Sequence, residues 1–516
     1  MSFVFSGALV PNVVRFQRQT AIPLSSSTLQ LHSRRVDVPT YDRSSLGRSI
    51  VHIGVGNFHR AHQAVYFDEL AQRGVTRDWG ITGVSLHHGR MKELLSEQDW
   101  LYTVVQRSHG RDAARIVGSI CQMHYAREDQ SAVLDALTDE RTRMVTLTIT
   151  GDAYCIDKRT GEFDPGRDDV RADMRMPNHF STTWGYLAEA LNRRRRAGKA
   201  PFTLVSCDNV PSNGDATRTA LVSFASLRDP ALGRWIDRHV AFPSTMVDRI
   251  TPKITSAERQ FVVRNVGIAD RCPVLTEPFR QWIIEDTFCN GRPPLEEVGV
   301  DLVADVTRLK LVKTRLLNGS HCAIAYLGIL AGYENIHEAM SDPILSRYVE
   351  QLMYQEISPL LPTVPNIDIV DYCATTLERF RNPSIGDQLA RLACRGSEKM
   401  PAYLLPSLHE AIAAGRPHTL LMLALAGWVR YLQGEDLHGR KIHIEDPQAK
   451  LLNTLAALGR RYPDPLLRNR DVFGDLRLIP GLIDRLGQMI DALDRHGVVG
   501  TLRRHVGGDL RKLVAR

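Results

Sequence analysis

Between Ser49 and Asn209, short runs rich in β-branched and apolar residues alternate with helix-length segments: SIVHIGVG at 49–56, WGITGVSL at 79–86, MVTLTITG at 144–151 and FTLVSCDN at 202–209. Strands spaced in this way predict a mostly parallel, doubly wound α/β sheet. TTWGYLAEALNRRRRAGK reads as one of the connecting helices, with Ser181 or Thr182 as its N-cap and Gly198 just beyond its C-terminus. After about residue 302 the strand-like runs nearly vanish. Segments such as HCAIAYLGILAGY, ILSRYVEQLMYQEI, TLLMLALAGWVRYL and GLIDRLGQMIDALDRHG carry helical periodicity instead. The pattern therefore predicts an α/β domain over residues 37–302 followed by an all-helical domain over 303–516. Residues 1–36 contain Arg15, Arg18, Arg34 and Arg35, several serines and no acid, a composition like that of a transit peptide. A disordered tail or an over-long start site is expected there.

The length of 516 residues suits two or three domains with sizeable cores, and no apolar run approaches the length needed to span a bilayer. The chain has 65 Lys+Arg against 58 Asp+Glu, and only ten of the basic residues are lysines. A net charge of +7 diluted over so many charged side chains gives no footprint for nucleic acid. The run Arg193–Arg196 is expected to complement a helix C-terminus and stay solvated. The eight cysteines (121, 155, 207, 272, 289, 322, 373 and 394) show no C-x-x-C pair or regular spacing. A disulfide framework and a zinc ribbon are unfavoured, and a cytoplasmic location is expected.

Chemistry is concentrated at two places. The first strand runs into Gly54-Val-Gly56-Asn-Phe58-His59, a strand–glycine–helix turn of the kind that lets a backbone approach a pyrophosphate. His59 stands where the third glycine of GxGxxG would fall, and a ligand-free tight turn is as good a reading of a bare GxG. The end of the second strand offers Leu86, His87, His88, Gly89 and Arg90 where a ribose-binding acid is usual, so NAD and NADP are both open. His59 and His62 lack a third ligand at zinc spacing, and helix-surface or substrate-side roles are expected for them. The second place opens the helical region. At 100° per residue, Lys313, Asn318 and His321 share one helix face, and Lys310 falls on the same arc. A lysine, an amide and an imidazole on an otherwise apolar helix call for a polar cavity. In a low-dielectric site a lysine can act as a base. A snorkelling lysine beside two satisfied core polars is the bland counterpart.

The strings GVGNFHRAHQAVYFDEL, SCDNVPSNGD, MVDRITP, EPFRQWIIEDTFCNGRP and KTRLLNGSH resemble the mannitol 2-dehydrogenase family. These are the polyol-specific long-chain dehydrogenases, which include arabinitol dehydrogenases and fructuronate reductases. The resemblance runs from about residue 40 onward. It implies an expanded Rossmann-type dinucleotide-binding domain, then a helical substrate-binding and catalytic domain. It also implies metal-independent, NAD-linked chemistry, with NADP not excluded. By position it implies Lys313 as general base, Asn318 and Asn209 as alkoxide-stabilising amides, and His321 as the residue orienting the substrate oxygens. Gly54, Gly56, Phe58 and Val247 would serve the cofactor, and Asp248, Arg391 and Lys399 the substrate.

Two departures stand out. Arg395-Gly-Ser-Glu-Lys399 replaces the D-G-S-x-K common in relatives, and Gly151-Asp-Ala-Tyr154 replaces a G-G-Y-like run. An added cation would suit an aldonate or uronate, although a surface arginine explains it more simply. The expectation is interconversion of D-mannitol and D-fructose by a monomer, with no nucleic-acid or membrane partner. Fructuronate reduction and arabinitol oxidation are the near alternatives, and a non-catalytic basic binding protein is the remote one.

Overall fold

The computed structural model describes residues 21–109, 112–157, 160–176, 179–364 and 367–506. Two compact units meet in sequence at Thr307 and Arg308. In the first, strands β1 (Ile22–Pro23), β2 (Ile50–Ile53), β3 (Ile81–Ser85), β4 (Tyr102–Gln106), β5 (Ala113–Val117), β6 (Ile120–Tyr125), β7 (Met144–Leu147), β8 (Thr203–Ser206), β9 (Thr245–Asp248), β10 (Ile268–Ala269), β11 (Val274–Thr276), β12 (Gln281–Glu285) and β13 (Asp301–Val303) follow in chain order. The main sheet has the order β6-β3-β2-β7-β8 and is parallel throughout. The chain leaves β2 toward β3 and β6, then returns to β7 on the other side. The topological switch point therefore lies between β2 and β7, where ligands of open α/β sheets bind. Every residue of β2, β7 and β8 is buried, as expected for strands covered on both faces. Two three-stranded sheets, β13-β12-β9 and β11-β4-β5, extend the unit.

The sequence-derived boundary at residue 302 cuts through β13, which pairs with β12 and keeps this stretch in the α/β unit. Within the expected N-terminal tail, residues 1–20 lie outside the described residues. From Ile22 the chain is packed: β1 pairs with β10, and Leu24 and Val36 sit in an apolar cluster with Val262 and Ile268. The connecting helix runs Thr183–Arg196, and Thr182 caps it by accepting from the Gly185 N–H at 3.0 Å. One member of the arginine run departs from expectation. Arg194 is buried and donates to the carbonyls of Leu137, Asp139, Thr142 and Ala200, tying the helix end to its neighbours. Arg193 and Arg195 pair with Glu189 and Asp229.

The second unit is helical. Its core forms around the helices Gly319–Leu330 and Thr419–Tyr431, which are apolar nearly all round and buried accordingly. Among the described residues, no helix is long and apolar enough to cross a membrane. The helix ladder widens to π geometry at Lys313–Asn318, Leu352–Ile357 and Met400–Leu404. Such segments are rare and recur at functional sites.

Candidate active site

At the switch point, Gly54 has φ +98°. A Cβ there would lie 2.2 Å from the Thr148 carbonyl oxygen, so only glycine fits this approach of β2 to β7. At Gly56 an added Cβ would meet nothing nearer than the Gly54 oxygen at 3.8 Å. The glycine turn is thus tight against the sheet at its first glycine and open at its second. The helix that follows is a single short stretch, Asn57–Ala61, broken at His62 before Gln63–Gln72 continues. Phe58 stacks on the His62 ring at 5.0 Å.

Both histidines of this turn differ from the surface or substrate-side roles expected of them, because both are fully buried. His62 donates from Nε2 to the Gln281 carbonyl at 2.8 Å and accepts from Gln63 at Nδ1, 3.0 Å away. His59 stacks face to face on His52 of β2, ring centroids 3.3 Å apart. Burial pushes His52 and His62 down to about 3, and His59 falls well below the ordinary histidine value for the same reason and because His52 lies beside it. All three are neutral imidazoles at physiological pH.

The loops beyond β7, β8 and β9 are held by side chains within the same motifs. Thr150 has φ +72°, a strained value for a β-branched residue. The Asp208 carboxylate holds that loop by accepting from the Ile149 and Thr150 N–H groups, at 3.0 and 2.9 Å, and from the Tyr154 hydroxyl. Burial raises the Asp208 pKa, opposed by those three hydrogen bonds. Asn209, the next residue, is exposed at the end of this braced strand. Asn213 is fully buried and bridges two strands: its amide donates to the carbonyls of Ser206, Asp208 and Thr245, while its oxygen accepts from the Thr245 N–H. Val247 and Asp248 finish β9 and are buried. Arg249 then anchors the strand end on the carbonyls of Glu277 and Ala61.

In the helical unit, Lys313 and Asn318 open and close one π segment, and His321 lies in the helix that continues from it. The π geometry replaces the uniform 100° step assumed for this stretch, because the ladder there bonds across five residues rather than four. Lys313 is buried, and Lys310 lies in the preceding α-helix Thr307–Val312. The Asn318 Nδ2 is buried and finds no hydrogen-bond partner among the described residues. The His321 ring stacks on Phe380 at 4.4 Å. This segment packs on the π turn Met400–Leu404, close enough that a Cβ on Gly319 would stand 3.0 Å from the Tyr403 carbonyl oxygen. Lys399 immediately precedes that turn and donates to the Leu392 carbonyl at 2.9 Å and to the Cys394 sulfur at 3.5 Å. Arg391 makes a two-pronged pair with the buried Asp387, at 2.7 and 2.6 Å. Arg395 adopts a left-handed φ of +57° and pairs through both prongs with Glu398. The helical unit thus brings the elements bearing Lys313, Asn318, His321, Arg391 and Lys399 together, and the sheet unit gathers the ends bearing Gly54, Asn209, Val247 and Asp248.

The chain's likeness to known proteins extends over nearly its whole length. Residues 48–297 match the mannitol dehydrogenase Rossmann domain, and residues 305–494 match the mannitol dehydrogenase C-terminal domain. The chain belongs to the mannitol dehydrogenase family. Mannitol 2-dehydrogenase of Aspergillus terreus is 42% identical over 481 residues, covering 92% of this chain and 96% of its own. Mannitol dehydrogenase 2 of Saccharomyces cerevisiae is 43% identical, covering 88% and 91%. Among solved structures, the Pseudomonas fluorescens mannitol 2-dehydrogenase ternary complex with NAD and D-mannitol superposes with a TM-score of 0.86 at 39% identity, over 94% of this chain and 99% of that one. A D-sorbitol dehydrogenase in substrate-free form gives 0.84 at 32% identity, over 93% and 100%.

Within the family's motifs, several side chains have a supporting role that spacing alone did not single out. Asp208, Asn213 and Arg249 stand one to four positions from residues chosen for chemistry, inside SCDNVPSNGD and MVDRITP. Their signal was an acid, an amide and an arginine embedded at strand ends, where backbone groups leave the ladder and need partners. Among the described residues, no three His, Cys, Asp or Glu side chains cluster as metal ligands would.

Proposed function

We propose that this protein is an NAD-linked oxidoreductase that interconverts a polyol and its ketose, D-mannitol and D-fructose first among them. The observation that carries the reading is the orphaned Asn318 amide donor, on the same helical stretch as the buried Lys313 and the half-buried His321. Leaving a buried donor unmade costs about 1–3 kcal/mol unless a ligand supplies the acceptor, and a substrate oxygen is such an acceptor. The glycine turn fits a dinucleotide: it sits at the switch point, is tight at Gly54 and is open at Gly56.

NAD, when bound, accepts the hydride leaving the carbinol carbon. The Lys313 amine takes the proton from the reacting hydroxyl, so that one hydride and one proton leave the alcohol and a ketone remains. The Asn318 Nδ2–H donates to the oxygen as its charge grows, and Asn209 is assigned the same task on family resemblance. His321, held flat against Phe380, orients the neighbouring oxygens. Asp248, Arg391 and Lys399 are assigned to the substrate, and Gly54, Gly56, Phe58 and Val247 to the cofactor. The reaction as proposed needs no metal, and the protein works as a monomer in the cytoplasm.

One observation bears on the uronate alternative. Of the cations that would recognise a carboxylate, Arg391 and Arg395 are each already paired through both prongs with a carboxylate of this chain, Asp387 and Glu398, and Lys399 is bonded to the Leu392 carbonyl and the Cys394 sulfur. That favours a neutral polyol. The test is a panel of mannitol, arabinitol, sorbitol and mannonate, each offered with NAD and then NADP while nicotinamide reduction is followed. Mannitol with NAD is expected to be the best pair, and reduction by mannonate alone would overturn the substrate reading.

A further inference from the structure

The motif GVGNFH puts a histidine where the third glycine of a dinucleotide turn normally allows helix and strand to lie close together. Close contact is nevertheless achieved, because the His59 ring lies flat on the His52 ring, 3.3 Å apart with 13° between planes. Neither ring nitrogen of His59 makes a hydrogen bond among the described residues, so its part is that of a flat, neutral surface. His52 is the opposite case. It lies directly across from Thr146 on the neighbouring strand, and its Nδ1 is 2.7 Å from the Thr146 hydroxyl. Its Nε2 is 3.0 Å from the Thr148 hydroxyl.

The protons in this group can be placed by counting. The Thr148 hydroxyl donates its single proton to the Gly54 carbonyl, at 2.6 Å. Toward His52 the Thr148 oxygen must therefore accept, so His52 carries its proton on Nε2. In a neutral ring Nδ1 is then the acceptor, and the Thr146 hydroxyl donates to it. The result is a one-way chain from Thr146 through His52 and Thr148 to the Gly54 oxygen. The Gly56 N–H reaches the same oxygen at 2.7 Å. With its carbonyl held by the Thr148 hydroxyl and the Gly56 N–H, and approached at 3.2 Å by the His52 Nε2–H as well, the Gly54–Val55 peptide plane is fixed. Because the peptide is planar and trans, the Val55 N–H points opposite to that carbonyl, in the turn that leaves β2 at the switch point.

We propose that the Thr146–His52–Thr148 chain, clamped by the stacked His59 ring, is a positioning device that sets the Gly54–Val55 peptide for the dinucleotide. None of the three side chains need touch the ligand. The proposal rests on the cofactor reading given above. It replaces the small-residue solution of the usual turn with an aromatic one, in which a second ring takes the volume a glycine would leave.

The test is the dissociation constant for NADH, from nicotinamide fluorescence titration of the full-length protein, together with the KM for the polyol. His59→Ala and the near-isosteric Thr148→Val are each expected to weaken NADH binding about tenfold, the order of one lost hydrogen bond's worth of positioning. The polyol KM should stay within about twofold, and His59→Phe, which keeps a flat ring on His52, should retain near wild-type NADH affinity. Thr148→Val leaves the stack intact and keeps the test open if His59→Ala folds poorly. NADH affinity within twofold of wild type in a folded Thr148→Val variant would overturn the proposal. Failure of the wild-type protein to bind NADH would instead overturn the cofactor reading, and this inference with it.

Discussion

Lys313, Asn318 and His321 were legible as residues because three polar side chains recur at helical spacing among Leu311, Val312, Leu316 and Leu317. Their polarity is costly to bury, so their presence demanded a partner, and the buried Asn318 donor is still waiting for one. What the residues could not reveal is how their neighbours are spent. Arg391 and Arg395 read as available cations in the sequence, yet each is paired with an acid four or three positions away. At this scale the expectation is that Asn318→Ala lowers kcat by roughly 10²–10³ while leaving NADH affinity unchanged, as for removal of one donor to a developing oxyanion. Steady-state kinetics beside an NADH titration would check it; a variant with unaltered kcat would remove Asn318 from the alkoxide.

Among the elements, the parallel strands and the apolar helices followed their hydrophobic patterns, because burial dictates composition directly. β9, β12 and β13, the sheet that ends in Val247 and Asp248, drew no such notice, being short and paired across long sequence separations. The π segments were also hidden, since a widened turn changes the bonding of the backbone without changing which residues are apolar. The buried histidines misled for a related reason: spacing places His59 and His62 on a helix, but only the opposing His52 and the Gln281 carbonyl explain their burial. Asn213 is the clearest element-level bolt, joining the end of β8 to β9 by bonds on both sides of its amide. Asn213→Ala strands several buried groups at once and is expected to cost about 3 kcal/mol, near the top of the range for such losses. Chemical denaturation would measure it, and a cost under about 0.5 kcal/mol, the range of an ordinary surface substitution, would contradict the bridging role.

For the whole molecule, three imidazoles kept neutral by burial tie stability to pH. Folded His52 and His62 titrate near 3, and His59 also lies well below its ordinary value, whereas the unfolded chain takes up these protons below about pH 6.5. Their contribution is therefore complete above about pH 6.5 and is lost as pH falls, by up to about 1.4 kcal/mol per pH unit for each histidine. Glu69, whose burial is outweighed by Arg280 and Arg115, adds a loss of the same sign at lower pH. Asp68 and Asp208, raised by burial, act in the opposite direction. The urea midpoint is expected to drop between about pH 7.5 and 5.5, and a flat profile would mean that these rings are not held neutral. Because the proposed chemistry uses a lysine base, prolonged dialysis against a chelator should leave turnover intact; loss restored by a divalent metal would refute the metal-free reading.

The central claim, polyol oxidation with Lys313 as the base, is tested most directly by NADH formation from D-mannitol and NAD with the wild-type protein and Lys313→Ala side by side. Wild type should yield one D-fructose per NADH. The variant should lose roughly 10²–10⁴ in kcat, the usual contribution of a general base, while binding NADH as wild type does. No NADH from mannitol with the wild-type protein, or a variant retaining wild-type turnover, would contradict the account.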